Sequence, residues 1–140
     1  MENLEKRLAE YREQFGCHCG CLGNRMRDEV VMKLMFAEGT SGIKFEYTSG
    51  YRCPQHNADV GGVADSAHIY GEAVDIFYRT ETVCLRVVRA LLAAGFERIE
   101  VYSLEEAIAA GAGGAKIHVD MHHKRVMPWF HIGRKKYAKS

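Results

Sequence analysis

Two apolar periods share the chain. Leu4, Leu8, Tyr11 and Phe15 recur at helical spacing, which predicts an amphipathic helix over residues 3–15. The glycine- and cysteine-rich stretch 16–23 breaks it. Asp28 to Glu38 predicts a second helix with Val30, Val31, Leu34 and Met35 on its apolar face, ended by Gly39 and Gly42. Ile43, Phe45 and Tyr47 then alternate with Lys44 and Glu46, the period of a half-buried strand running into Ser49-Gly50. Residues 50–67 carry no period and read as loop, with a turn at Gly61-Gly62. Ala73 to Tyr78 predicts a strand with Val74, Ile76 and Tyr78 on one face. Thr82 to Ala94 is a strong helix pattern closed by Gly95. Arg98 to Tyr102 predicts a short strand, Leu104 to Ala110 a short helix stopped by the glycine-rich run 111–114. Lys116 to Met121 predicts a last strand with Ile117, Val119 and Met121 on one face and Lys116, His118 and Asp120 on the other. Helices and short strands follow one another without regular βαβ alternation, so the expected class is α+β, a small antiparallel sheet flanked by helices. No internal repeat or linker interrupts residues 1–140, which fits a single domain.

Composition narrows the function classes more than it changes the fold. The 140 residues are 47% hydrophobic and 26% charged, ordinary for a globular protein that builds its own core. The net charge of +1 gives no whole-molecule attraction to nucleic acid. Only the tail, Arg134 to Lys139, is basic; it reads as a solvated terminus or as a weak attraction to an anionic polymer or lipid surface. No apolar run approaches the ~20 residues of a membrane span. The first fifteen residues are charged and amphipathic and lack the apolar region of a secretory signal. The expectation is therefore a monomer, cytoplasmic at synthesis, that reaches any extracellular substrate by lysis.

The cysteines number five: Cys17, Cys19, Cys21, Cys53 and Cys84. An odd count without an export signal argues against a full disulfide framework. Cys84 falls in an apolar helical pattern, the setting of a buried inert thiol. C-H-C-G-C at 17–21 has two readings: reduced surface thiols, or part of a second metal site, although structural zinc usually uses wider ligand spacing and four ligands.

Three segments carry the chemistry. In Ser66 to Asp75, His68 ends a loop, Asp75 lies within the following strand, and Gly71 lets the chain turn between them. An imidazole and a carboxylate are both competent zinc ligands, but a catalytic zinc takes three protein ligands and keeps one position open. Ile117-His118-Val119-Asp120 supplies a third candidate, His118, on a polar strand face. A His/Asp/His set with an open position suits a zinc that generates hydroxide or polarises a carbonyl. In Ser49 to Asn57, Arg52 follows a strand and is placed to clamp a carboxylate or stabilise an oxyanion; a surface salt bridge is the plainer reading.

These segments resemble a known family. S-A-H-I-Y-G-E-A-V-D matches S-x-H-x-x-G-x-A-x-D, the signature of the D-alanyl-D-alanine carboxypeptidase and L-alanyl-D-glutamate endopeptidase zinc family, grouped structurally with lysostaphin-type enzymes and the hedgehog fold. S-G-Y-R-C-P-Q-H-N resembles that family's S-G-Y-R segment, and I-H-V-D its last-ligand strand. F-G-C-H-C-G-C resembles the opening of a small phage-associated branch. The resemblance implies a hedgehog/D-Ala-D-Ala peptidase-like domain that holds one zinc by His68, Asp75 and His118 and cleaves peptidoglycan stem peptides. Arg52 would bind or polarise the peptide carbonyl or terminal carboxylate, and Ser66 would orient the loop or touch substrate. Other branches place a catalytic Glu three residues, or a His two residues, before the last ligand; here those positions hold Ala115 and Lys116. Asp120, on the same strand face as His118, is the replacement base or else the group that orients a ligand histidine. Glu97 and Glu100 are further candidate bases. His122 and His123, followed by Lys124-Arg125, are expected to be solvated, and His56 to be structural. His131 competes as third ligand, and Trp129 either lines a cleft or, the expectation here, caps the core. The alternative function is a non-catalytic zinc-binding or cell-wall-binding module of the same fold.

Overall fold

A computed structural model describes residues 3–135. Lys136 to Lys139 of the basic tail lie outside the described residues, and Arg134 pairs with Glu100 at 3.0 Å.

The element order is α1 (Leu4–Arg12), a 3-10 turn (Glu13–Phe15), α2 (Asp28–Ser41), β1 (Glu46–Ser49), α3 (Pro54–Asp59), β2 (Ala73–Tyr78), α4 (Glu81–Ala93), β3 (Arg98–Tyr102), α5 (Leu104–Ala109), β4 (Ala115–Asp120) and β5 (Trp129–Arg134). The class is α+β. The strands form one sheet in the order β1-β2-β4-β3-β5. Its first four strands pair antiparallel, and β5 adds to β3 in parallel at the edge, so the sheet is mixed rather than wholly antiparallel.

Local chemistry explains where the elements begin and end. The Thr80 side chain caps α4 by accepting from Val83 N–H, and Gly95 follows with φ +97°, a left-handed stop. Helix α2 runs through Gly39 and ends only at Gly42, where φ is +74°; a glycine inside a helix weakens it, whereas a left-handed one ends it. Strand β1 starts at Glu46 rather than Ile43, because the Glu38 carboxylate takes the Phe45 N–H at 2.6 Å and withholds it from the ladder. The predicted loop 50–67 contains α3, which has Pro54 in its first turn and Cys53 as its cap. Strand β5 escapes the apolar pattern because it is exposed along most of its length and has no alternating buried face.

Parity along the strands divides the sheet into two faces. Val74, Ile76 and Tyr78 of β2, Ala115, Ile117 and Val119 of β4, and Ile99 and Val101 of β3 join Val30, Val31 and Leu34 of α2 and Val87, Val88 and Leu91 of α4 in one buried core. The opposite face carries Asp75, His118, Asp120, Arg98 and Glu100. The His/Asp/His donors gather on that second face.

Candidate active site

Strand pairing lines up the site. Ser49 on β1 is the register partner of Asp75 on β2, Asp75 of His118 on β4, His118 of Glu100 on β3, and Glu100 of His131 on β5. Register partners in a sheet point to the same side, so a polar row crosses all five strands. His68 reaches the row from the turn before β2. Gly71 makes that turn possible: its φ is +68°, and a Cβ there would overlap the Arg25 carbonyl. Arg27 N–H bonds the Gly71 carbonyl at 2.9 Å, pinning the turn to the start of α2. Gly50 is constrained similarly, since an added Cβ would lie 2.8 Å from backbone atoms of Phe15.

His68, Asp75 and His118 each present one ligand atom such that all three atoms lie within 4.8 Å of one another. His118 Nδ1 stands 3.1 Å from Asp75 Oδ1, and His68 Nε2 stands 3.5 Å from Asp75 Oδ2. Ligands about 2.0–2.2 Å from a tetrahedral ion are separated by about 3.4 Å, so these spacings fit a zinc-sized ion. The ring orientations fit as well. His68 Nδ1 sits 2.7 Å from the Gly50 carbonyl, which can only accept, so that nitrogen carries the proton and Nε2 keeps its lone pair. His118 Nε2 sits 2.8 Å from the Asp120 carboxylate, leaving Nδ1 to face Asp75. A carboxylate or carbonyl behind each ligand imidazole is the usual support of a metal site.

The electrostatics are those of a site built for a cation. Burial disfavours the Asp75 carboxylate, but hydrogen bonds from His118 and His68 overcome it and hold the carboxyl well below its ordinary range. Burial likewise opposes a charged His118, yet Asp120 and Asp75 raise its pKa to about 9. Positive side chains flank Asp75: Arg52 Nη2 lies 3.4 Å and Lys116 Nζ 3.8 Å from its Oδ2.

The other candidates fall around this cluster. Arg52 donates from Nε to Ser49 Oγ at 3.1 Å and from Nη1 to Asn57 Oδ1 at 3.2 Å, which fixes its guanidinium beside Asp75. Asn57 is buried and also donates to the Val63 carbonyl. It was not singled out from the sequence, although it lies within the segment that carries Arg52. Ser66 Oγ accepts from His68 N–H at 3.2 Å and its residue borders the neighbouring cleft. Asp120 has both oxygens engaged: Oδ1 accepts from Arg98 Nε at 2.7 Å and from His122 N–H at 3.0 Å, and Oδ2 faces His118. Burial raises its pKa, but His118 and Arg98 pull it down to about 2.

A cleft of about 460 Å³ opens beside His118. Glu100, Tyr102 and Trp129 form part of its wall, and its charges are mixed: Arg98, Arg125 and Arg134 stand against Asp65, Glu100 and Asp120. Trp129 therefore lines a cleft instead of capping the core; it is half-buried, and Arg98 lies over its ring at 5.5 Å. Glu97 is exposed and does not border the cleft. His131 is exposed, packs on Trp129 with ring centres 4.5 Å apart, and belongs to no donor cluster among the described residues. His122 is not solvated as expected: it is buried, with Nε2 2.8 Å from the Asp65 carbonyl. His123 is exposed, but its ring is tied to Glu72 at 2.6 Å. His56 sits in α3, where its backbone N–H donates to Cys53 Sγ.

No curated protein and no solved structure matches the chain. A family model described as Peptidase M15 matches residues 7–109. That span contains Arg52, His68 and Asp75, while His118 lies beyond it on the strand that pairs with Asp75. With well over half of its length matched, the chain belongs to the Peptidase M15 family.

Proposed function

We propose that the protein is a zinc metallopeptidase that hydrolyses peptide bonds in peptidoglycan stem peptides, of the D-Ala-D-Ala carboxypeptidase or L,D-endopeptidase type. The observation that carries the reading is the convergence of His68, Asp75 and His118, with both imidazoles fixed from behind, in a chain of a peptidase family. Three protein donors leave one position of a tetrahedral ion for water or substrate. The chemistry such an ion supplies is Lewis acidity, which acidifies water and polarises a carbonyl.

The protein's own groups do the rest. Arg52, held by Ser49 and Asn57, presents a fixed positive charge beside Asp75, suited to a substrate carboxylate or a developing oxyanion. Among the described residues, Arg125 on the cleft wall is the arginine there that carries no carboxylate pairing of the kind Arg98 makes with Asp120 and Arg134 with Glu100, and it suits an acidic group of a stem peptide. Ser66 holds the His68 backbone, a positioning role. Asp120 orients His118 and is a poor proton acceptor, because its oxygens are occupied and its pKa lies near 2. Glu100 is the general base of this reading: it is the register partner of His118 and borders the cleft, and a single arginine, Arg134, holds its Oε2 at 3.0 Å.

The test is digestion of purified muropeptides from several wall chemotypes with zinc-loaded protein, read by mass spectrometry. Release of D-alanine or internal cleavage, absent in Asp75→Ala, is the expected result. Bound zinc without any cleavage would overturn the peptidase reading in favour of a binding module, the reading suggested by Ala115 and Lys116 where other branches carry a base.

A further inference from the structure

Off the sheet, four of the five cysteines meet. Cys17, Cys19 and Cys21 come from the loop after the 3-10 turn, and Cys53 from the cap of α3; their sulfurs all lie within 4.8 Å of one another. Cys17 Sγ is 3.4 Å from Cys19 Sγ, which is 3.6 Å from Cys53 Sγ. All four are free thiols. Sulfurs bound about 2.3 Å from a tetrahedral zinc stand about 3.8 Å apart.

We propose that Cys17, Cys19, Cys21 and Cys53 form a closed four-thiolate site for a zinc ion, a structural centre separate from His68, Asp75 and His118. Hydrogen bonding supports it. Backbone N–H groups point at three of the sulfurs: Cys53 N–H at Cys17 Sγ (3.4 Å), Gly23 N–H at Cys21 Sγ (3.3 Å) and His56 N–H at Cys53 Sγ (3.4 Å). Such donors suit thiolates that carry negative charge, as metal-bound sulfurs do. The loop offers little else to hold it. Its neck is closed by Cys17 N–H on the Gly23 carbonyl at 2.8 Å, but Leu22 is 93% exposed, and the chain turns through left-handed φ at Gly20 (+89°) and at Leu22 (+61°). A left-handed leucine with no packing partner for its side chain needs an external constraint, and an ion between the sulfurs is one.

The two other ways to account for the cluster fit less well. Reduced surface thiols describe Cys19 and Cys21, which are exposed, but not Cys17, which is buried, or Cys53, which is half-buried. Two disulfides would link the sulfurs in pairs and leave no reason for all four to converge. The further donor group Glu72, His122 and His123 carries no such inference, because Arg27 and His123 already satisfy the Glu72 carboxylate at 2.5 and 2.6 Å.

The site would tie the segment after α1 to Cys53, the neighbour of Arg52, and so brace the arginine side of the catalytic cluster. It does not depend on the peptidase reading. The test is metal analysis of the full-length protein purified without chelator, together with cobalt substitution. Two zinc ions per chain are expected in the unmutated protein. One should remain in His68→Ala and one in Cys21→Ser, and the cobalt-loaded unmutated and His68→Ala proteins should both show a near-ultraviolet thiolate-to-cobalt charge-transfer band that Cys21→Ser weakens. That band, read on the unmutated chain, decides the matter even if a cysteine variant does not fold. Absence of the band from cobalt-loaded protein, or a thiol count of one in protein isolated anaerobically and then denatured, which would mean two disulfides, overturns the proposal. Loss of peptidase zinc alone would leave the band in place.

Discussion

The His/Asp/His cluster and the four-cysteine cluster differ in what surrounds the donors. The first rests on regular pairing: Asp75 and His118 are partners across β2 and β4, and Gly50 and Asp120 orient the two imidazoles. Arg52 and Lys116 stand beside Asp75. Three donors of the second hang on a loop without regular structure and the fourth caps α3, and its sulfurs are met by backbone N–H groups. A preorganised set of three donors leaves an ion free to act on something else, whereas a set of four makes the ion part of the scaffold. Removing metal should therefore spare the sheet and loosen the loop.

The largest effect expected is at the first cluster. Asp75→Ala should abolish muropeptide cleavage and remove the zinc bound there, while circular dichroism stays native; retained turnover would break the contrast at once. Next, Glu100→Gln should lower kcat by about 10²–10⁴-fold with zinc content unchanged. Asp120→Asn should instead weaken zinc binding by about 10–100-fold, measured by competition with a chelating dye. If the two phenotypes were exchanged, Asp120 would be the base and Glu100 a support. Gly71→Ala tests the turn that delivers His68: with a left-handed φ and the Arg25 carbonyl in the way, it should cost at least about 2 kcal/mol in urea unfolding.

The smallest effect belongs to Glu72, an ion-paired cluster that needs no metal. Burial raises the Glu72 pKa, but hydrogen bonds from His123 and Arg27 hold it below its ordinary 4.5. A carboxyl with a depressed folded pKa stabilises fully above the unfolded value and loses that contribution as pH falls through the folded one. Glu72→Gln should cost about 1–2 kcal/mol near neutral pH, and the difference should fade as thermal unfolding is followed down to about pH 3. Chelator should leave this variant's deficit unchanged.

The central strands were legible because they are buried on one face and polar on the other: β2, β3 and β4 follow Val74-Ile76-Tyr78, Ile99-Val101 and Ile117-Val119. That His68, Asp75 and His118 converge was expected from the motif, and for Asp75 and His118 from strand parity as well. What the sequence hid was non-local. Strand β5 has no buried face, and its parallel pairing with β3 is decided by tertiary contact. Helix α3 is short, and its capping cysteine gave no familiar start signal. The burial of His122 depends on Asp65, far away in sequence. Glu100 gained its place beside His118 from strand order, which periodicity does not encode. Cys53 meets the other cysteines because Tyr51 N–H bonds the Phe15 carbonyl at 2.9 Å and joins their segments, a contact that periodicity does not encode either.

The alternation in β2 and β4 does two jobs with one parity. Val74, Ile76, Ile117 and Val119 face inward only in the alignment that also sets Asp75 against His118. A slip by one residue would expose the oily side and scatter the donors together. Hydrophobic burial thus proofreads the geometry of the donors, and an insertion or deletion within either strand would be penalised as a folding defect whatever the donors do.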